Sequence, residues 1–246
     1  MKKVTLFNLF IATSLCFLAL TEVSAQTINS LSKKEQRQGW TLLFNGTNLD
    51  GWTSVGKQTQ PEKGWTVENG VLTVNKGGPQ RGGDIITQNK YSEFELSFEF
   101  KLTKAANGGV KYLFANYEKG GWLGNEYQVL DDDFHPDAKA GINGNRKTAS
   151  LYDVFPPETA NKKMKPTGEW NSGSVTVKGS KVTHTLNGKV VLKYDLKSPE
   201  YAKAVKEISK FKDAVPLFGT VPDGHILLQD HQDEVSFRNI KIRSLK

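Results

Sequence analysis

Five side chains on three short stretches could work on one polar ligand: Lys111 in VKYLF, Glu126 and Gln128 in EYQVL, and Gln229 and His231 in LLQDH. They comprise a cation, a carboxylate, two amides and an imidazole that titrates near neutrality. Amides and a lysine suffice to hold hydroxyls; a base beside a cation would go further, to proton transfer. The run Asp131, Asp132, Asp133, His135 and Asp137 could bind a divalent cation through oxygen ligands, with Asp131 and His135 as the foremost ligands. Its plainer reading is an acidic turn that caps and solvates. Arg146, Tyr152, Trp122 and Trp170 could hydrogen-bond or stack on a ligand, or simply order a loop. His184, just before a hairpin turn, reads as a surface residue.

The elements that must position these groups are strands. Side chains alternate between the two faces of a strand. Lys111 is out of phase with Val110, Tyr112 and Phe114, and Glu126 and Gln128 are out of phase with Tyr127 and Val129. One face therefore joins a core while the other presents the polar groups. Gln229 and His231 share a phase, with Leu227 among them. SEFELSFEFKL alternates throughout: Phe94, Leu96, Phe98, Phe100 and Leu102 point one way, with charged and polar residues the other, as in an antiparallel strand that is dry on one side. ENG at Glu68–Gly70 and NG at Asn187–Gly188 predict hairpin turns. Phe237 and Ile240 are out of step for strict alternation, which predicts a bulge between them. Pro199 to Lys212, with Tyr201, Val205, Ile208 and Phe211 near helical spacing, is the one good helical stretch; Ser30 could cap a shorter one reaching Gln38. Many strands, frequent glycine turns and no repeat predict an all-β, two-sheet antiparallel sandwich with one short helix in the C-terminal third. The long Gly/Pro/Asn/Asp-rich stretch from Asp131 to Asn171 reads as an ordered, packed loop.

At the N-terminus, Lys2 and Lys3 precede an apolar run from Val4 to Leu20, and Val23-Ser24-Ala25 offers small residues before Gln26. That is the pattern of a cleaved signal peptide over residues 1–25, leaving one domain over 26–246 that is exported to the periplasm or the medium without a stable membrane anchor. Cys16, inside the leader, is the only cysteine, so no disulfide, thiolate nucleophile or cysteine metal site remains after cleavage. Lys and Arg number 33 against 26 Asp and Glu, a net charge of +7. The lysines are scattered and form no nucleic-acid motif, so nucleic acid is not an expected partner.

The segments GWTLLFNGTNLDGW, NGGVKYLF, NEYQVLDDDFHPDAK, ASLYDV, GEWN, HTLNGK and GHILLQDHQDEVSFRNIKI, in this order, resemble the 3-keto-disaccharide hydrolase domain family. The resemblance covers nearly all of the chain after the leader. It implies a concanavalin A-like jelly roll and cleavage of glycosides whose sugar carries a ketone at C3. Two positions depart from the family's usual pattern: Thr185 stands in for an aromatic and Gln232 for a glycine. A C3 ketone acidifies the C2 proton; once a base removes it, the group on C1 can leave, and water addition completes a net hydrolysis. For such chemistry His231 is the expected base, His135 its rival, Lys111 the electrophile for the enolate oxygen, and Glu126 the acid or orienting partner. Gln128, Gln229, Arg146, Tyr152 and Trp170 would hold the substrate, and a divalent cation near Asp131 and His135 could replace Lys111. A retaining glucanase of the same fold would need a second carboxylate where Gln128 stands. The alternative of another class is a lectin-like module that binds sugar without cleaving it.

Overall fold

The computed structural model describes residue 1 and residues 27–245 apart from 80, 208, 215–217 and 220. The leader and Ile208 thus lie outside the described residues, residue 1 excepted. The chain forms a two-sheet antiparallel jelly-roll sandwich. Its strands are β1 (Thr41–Leu42), β2 (Trp52–Ser54), β3 (Trp65–Glu68), β4 (Val71–Val74), β5 (Ile85–Thr87), β6 (Phe94–Leu102), β7 (Asn107–Tyr117), β8 (Gly121–Leu130), β9 (Asn171–Lys178), β10 (Lys181–Leu186), β11 (Lys189–Asp195), β12 (His225–Leu228) and β13 (Val235–Ser244). The larger sheet runs β11-β10-β9-β6-β13-β4-β3, with β1 also on β13; the smaller runs β2-β5-β12-β7-β8.

The alternation of β6 appears as strict in-and-out burial. Its phenylalanines meet Tyr112, Tyr127 and Val129 of the smaller sheet in a shared core. A register shift between Arg238 and Lys241, with Asn239 at φ 53°, bulges β13 where the phase slip of Phe237 and Ile240 indicated.

Four expectations change. Phe114 does not continue the inward phase of Tyr112. A bulge between Tyr112 and Ala115, with Leu113 at φ 48°, sends Leu113 to the core. Phe114 turns to the opposite face, with Ile86 and Leu227. An extra residue in one strand inverts every side chain after it. His184 is fully buried between the sheets, not at the surface. Its Nδ1 donates to the Ala149 carbonyl at 3.0 Å, leaving Nε2 to accept from the Tyr112 hydroxyl at 2.7 Å. With these bonds met, burial holds the ring neutral, with a pKa of about 4.

Among the described residues there are three helices: α1 (Lys33–Arg37), inside the stretch expected to reach Gln38; α2 (Asp137–Ala140), in the long loop; and α3 (Pro199–Glu207), the helix expected in the C-terminal third. α1 is capped by Ser32, not Ser30, in a capping box with Glu35. α3 stops five residues before the expected Lys212, which opens a separate turn of 3-10 helix.

The long loop is ordered. β8 is an edge strand of the smaller sheet, and residues 149–152 run along it: Ala149 N–H donates to the Gln128 carbonyl at 2.9 Å and Tyr152 N–H to the Glu126 carbonyl at 3.0 Å. Backbone groups that an edge would leave open are thereby satisfied.

Candidate active site

The outer face of the smaller sheet carries the polar groups. Lys111 stands between Glu126 on β8 and Leu227 on β12, its Cα partners on either side. Gly109 is opposite Gln128, and its carbonyl accepts from Gln229 N–H at 3.0 Å. Lys111, Glu126, Gln128 and Gln229 therefore share one face by parity. Asp84, two residues before Ile86, joins them from β5's end.

Lys111 Nζ lies 3.6 Å from Glu126 Oε2. The carboxylate lies over Gly109, where a Cβ would come within 2.4 Å of Oε1, so any larger residue there would have to displace it. The Glu126 side chain is 6% exposed. Burial pushes its carboxyl up from the usual range, against the pull of Lys111 and Lys210. Burial likewise raises Asp84, opposed by Lys111.

The edge-covering loop walls this pair. Arg146 binds Asp153 at 2.5 Å and Asp137 at 2.8 Å, and Asp137 also accepts from the Tyr152 hydroxyl at 2.8 Å. Asp153 in turn accepts from Lys210 N–H at 2.6 Å and anchors the segment after α3. Lys210 Nζ then lies 4.3 Å from the centre of the Tyr152 ring. Burial lowers the Lys210 ammonium pKa, opposed by Glu126 and Asp153.

A second group lies toward the Asn107 end of β7. His231 Nδ1 is 3.6 Å from Asp233 Oδ2, and its Nε2 is 3.5 Å from Asn107 Nδ2. The His135 and His231 rings are 5.9 Å apart, centre to centre, edge to face. His135 Nδ1 accepts from Asp137 N–H at 3.1 Å, so its Nε2 carries the proton. Burial lowers the His135 pKa, opposed mainly by Asp233. Asn107 is 3% exposed, and its Oδ1 has no partner.

His231 is four positions beyond Leu227, so at the rise of a strand it is roughly 13 Å along from the Lys111 row. The five residues singled out in the sequence thus lie on one face as two groups, with Gly109, Gln128 and Gln229 as the floor between. Arg146 and Tyr152 join the wall. Trp170 does not reach this face: Arg238 and Lys101 of the larger sheet stack on it at 4.1 and 5.2 Å. Asp131 is committed to its own turn, with Oδ2 accepting from Ala105 N–H at 2.8 Å and Oδ1 from Asp133 N–H at 3.2 Å. Among the described residues, the group with metal-ligand spacing is His135, His231 and Asp233, whose ligand atoms lie within 4.8 Å of one another.

Sequence reasoning missed Asp84, Asn107, Asp233 and Lys210. Asp233 and Asn107 carried a faint signal, since both flank strands already tied to the site. Lys210 carried none, because only the fold brings the segment after α3 over β8.

The model of the 3-keto-alpha-glucoside-1,2-lyase-like domain matches residues 39–243. A 3-keto-disaccharide hydrolase of Bacteroides thetaiotaomicron is 36% identical, over 91% of this chain and 84% of its own length. Two solved structures of candidate glycosyl hydrolases from Parabacteroides distasonis are also similar. One is 32% identical with a TM-score of 0.77, covering 89% of this chain and 100% of that one. The other is 27% identical with a TM-score of 0.62, covering 84% and 99%.

Proposed function

We propose that this chain, which belongs to the 3-keto-alpha-glucoside-1,2-lyase-like domain family, is a carbohydrate-active enzyme that cleaves 3-keto-glycosides on the outer face of its smaller sheet. The single observation that carries the reading is the pair of titrating groups across the Gly109 floor: a carboxyl raised by burial on one side and, on the other, two facing imidazoles, of which His135 is lowered by burial. Groups whose surroundings push their protonation in opposite senses mark an acid and a base.

Polar neighbours separate the two histidines. Asp233, 3.6 Å from His231 Nδ1, favours the tautomer with the proton there, which leaves Nε2 unprotonated, beside the Asn107 amide, as the base for the C2 proton. His135 presents an Nε2–H and is the donor for the enolate oxygen that forms at C3. This reading gives His135 the role that the sequence suggested for Lys111. Glu126, kept protonatable by burial, gives its proton to the C1 oxygen as the C1–O bond breaks. Lys111 holds Glu126 in place, and Gln128 and Gln229 bind the ring hydroxyls. Water then adds across the unsaturated keto sugar, so that elimination and hydration sum to hydrolysis. Export follows from the leader pattern at residues 1–25, and the mature protein would begin at Gln26.

The test is to incubate the purified protein in deuterated water with a methyl 3-keto-glucoside and with its unoxidised parent. Cleavage and C2 exchange of the ketone alone are expected, with exchange lost in His231→Ala. Equal turnover of both sugars would overturn the C3 requirement. Sugar binding without cleavage or exchange would leave a lectin-like module.

A further inference from the structure

The face continues past Lys111, away from the histidines, into a cavity of about 380 Å³ that the reaction has not used. Its walls include Lys57, Arg81, Asp84, Lys111, Phe114 and Trp122. Phe114 is there because of the bulge at Leu113; strict alternation would have buried it in the core. Trp122 stacks on it, 5.4 Å between ring centres at 18°. Phe114 is 3% exposed, so the open surface of the stacked pair belongs to the half-buried Trp122. Behind them the buried Ile86 and Leu227 back the stacked pair.

The opposite wall is built, not incidental. Asp230, 2% exposed, accepts from Gly82 N–H at 3.0 Å and Gly83 N–H at 2.8 Å, and its own N–H donates to Asp84 at 2.9 Å. The segment bearing Arg81 is thereby buckled to the stretch after β12 that carries Gln229. Along β7 the order is Asn107, Gly109, Lys111, Phe114. A sugar on the Gly109 floor with C2 and C3 toward the histidines therefore directs its C1 substituent past Glu126 to this cavity.

We infer that the cavity is the leaving-group subsite, and that it selects glycosides with an aromatic aglycone, whose ring lies on Trp122. The aromatic face of Trp122 and the cations Lys57, Arg81 and Lys111 around it suit the flat, electron-rich ring of a phenol or phenolate better than a second sugar's hydroxyl-covered edges. The inference rests on the proposed cleavage for its orientation.

The experiment compares wild type and Trp122→Ala on phenyl and methyl 3-keto-glucosides. Because each variant is compared on the same substrate, the leaving ability of phenol cancels. Loss of stacking predicts about a tenfold fall in kcat/KM for the phenyl substrate. The methyl substrate should keep its wild-type rate of cleavage and C2 exchange, which also shows that the variant folds. Trp122→Leu, which restores an apolar side chain without an aromatic face, should share the selective loss. Equal losses on both substrates, or none on either, would overturn the subsite. If the wild type turned over neither ketone, the proposed reaction would fail, and the subsite would be read from binding alone. Phenyl glucoside should then quench tryptophan fluorescence in the wild type and not in Trp122→Ala. Absence of that quench, or equal quenching by methyl glucoside, would overturn it.

Discussion

Both sheets present cation–carboxylate pairs on their outer faces, and the pairs differ in what covers them. On the larger sheet Arg238 meets Glu99 at 2.6 Å, and Arg243 meets Glu95 at 2.6 Å, across directly opposed positions of β13 and β6. All four side chains are about a quarter exposed. On the smaller sheet Lys111 and Glu126 are also directly opposed, but they stand 3.6 Å apart and Glu126 is nearly covered. Tyr152 and Lys210 come over it and close it off, whereas Trp170 and Trp40 lie on the arginines of the larger sheet's pairs and leave all four side chains open to water. Water solvates the open pairs, so they neither gain nor lose much. Where the loop removes that water, the carboxylate is held short of full solvation and drifts toward its neutral form. The same strand alternation thus yields an inert face and a candidate reactive one, and the difference is desolvation.

The sharpest way to break this contrast is Glu126→Gln. As loss of a general acid it should cut kcat about 10³-fold, or about 4 kcal/mol on the barrier. The melting temperature should hardly move, because an unfavourable buried charge goes with it. In the wild type the rate should fall as pH rises through the raised Glu126 pKa, and a pH profile of kcat checks this. An unchanged kcat would place Glu126 with the inert pairs.

Complete burial is represented by His184, in the layer between the faces. Its folded pKa of about 4 lies below the ordinary 6.5. The unfolded chain therefore takes up the proton first as pH falls. Stability should be full above pH 6.5 and lost progressively down to about pH 4, by up to about 3 kcal/mol. Urea unfolding across that range measures the loss, and His184→Gln should remove this part of the slope.

Gly109→Ala tests the covered pair without touching a charge. The new Cβ would displace the Glu126 carboxylate, and misplacement of this kind should lower kcat roughly 10- to 100-fold. Stability should change little, since the obstacle is the end of a flexible side chain. A fully active variant would show that the carboxylate's position over Gly109 is not needed. The smallest effect is expected on the open face: Arg238→Gln should cost below about 1 kcal/mol in denaturant titration and leave turnover intact. A large activity loss there would move the site to the larger sheet.

The sandwich and the polarity of its faces were readable from residue order alone. Strand parity is local: it depends on alternating residue types, so β6, the Asn-Gly hairpins and the phases of Lys111, Glu126 and Gln128 were legible. The slip between Phe237 and Ile240 was legible too, because it broke a pattern already running. The bulge at Leu113 was not, because VKYLFA reads as alternating whether or not it is bulged, and only pairing with β8 and β12 settles the register. Burial of His184 was equally hidden. Its ring needs Tyr112 and Ala149, 72 and 35 residues away, before water can be given up. Trp170 and Arg146 looked alike as loop residues, yet one lies on each sheet, since a loop's path depends on the edge it must cover. The composition of the site could be listed from residue types; which groups are dry, and so which are shifted, was decided by long-range packing, because desolvation depends on all the atoms that gather round a group and not on its neighbours in the chain.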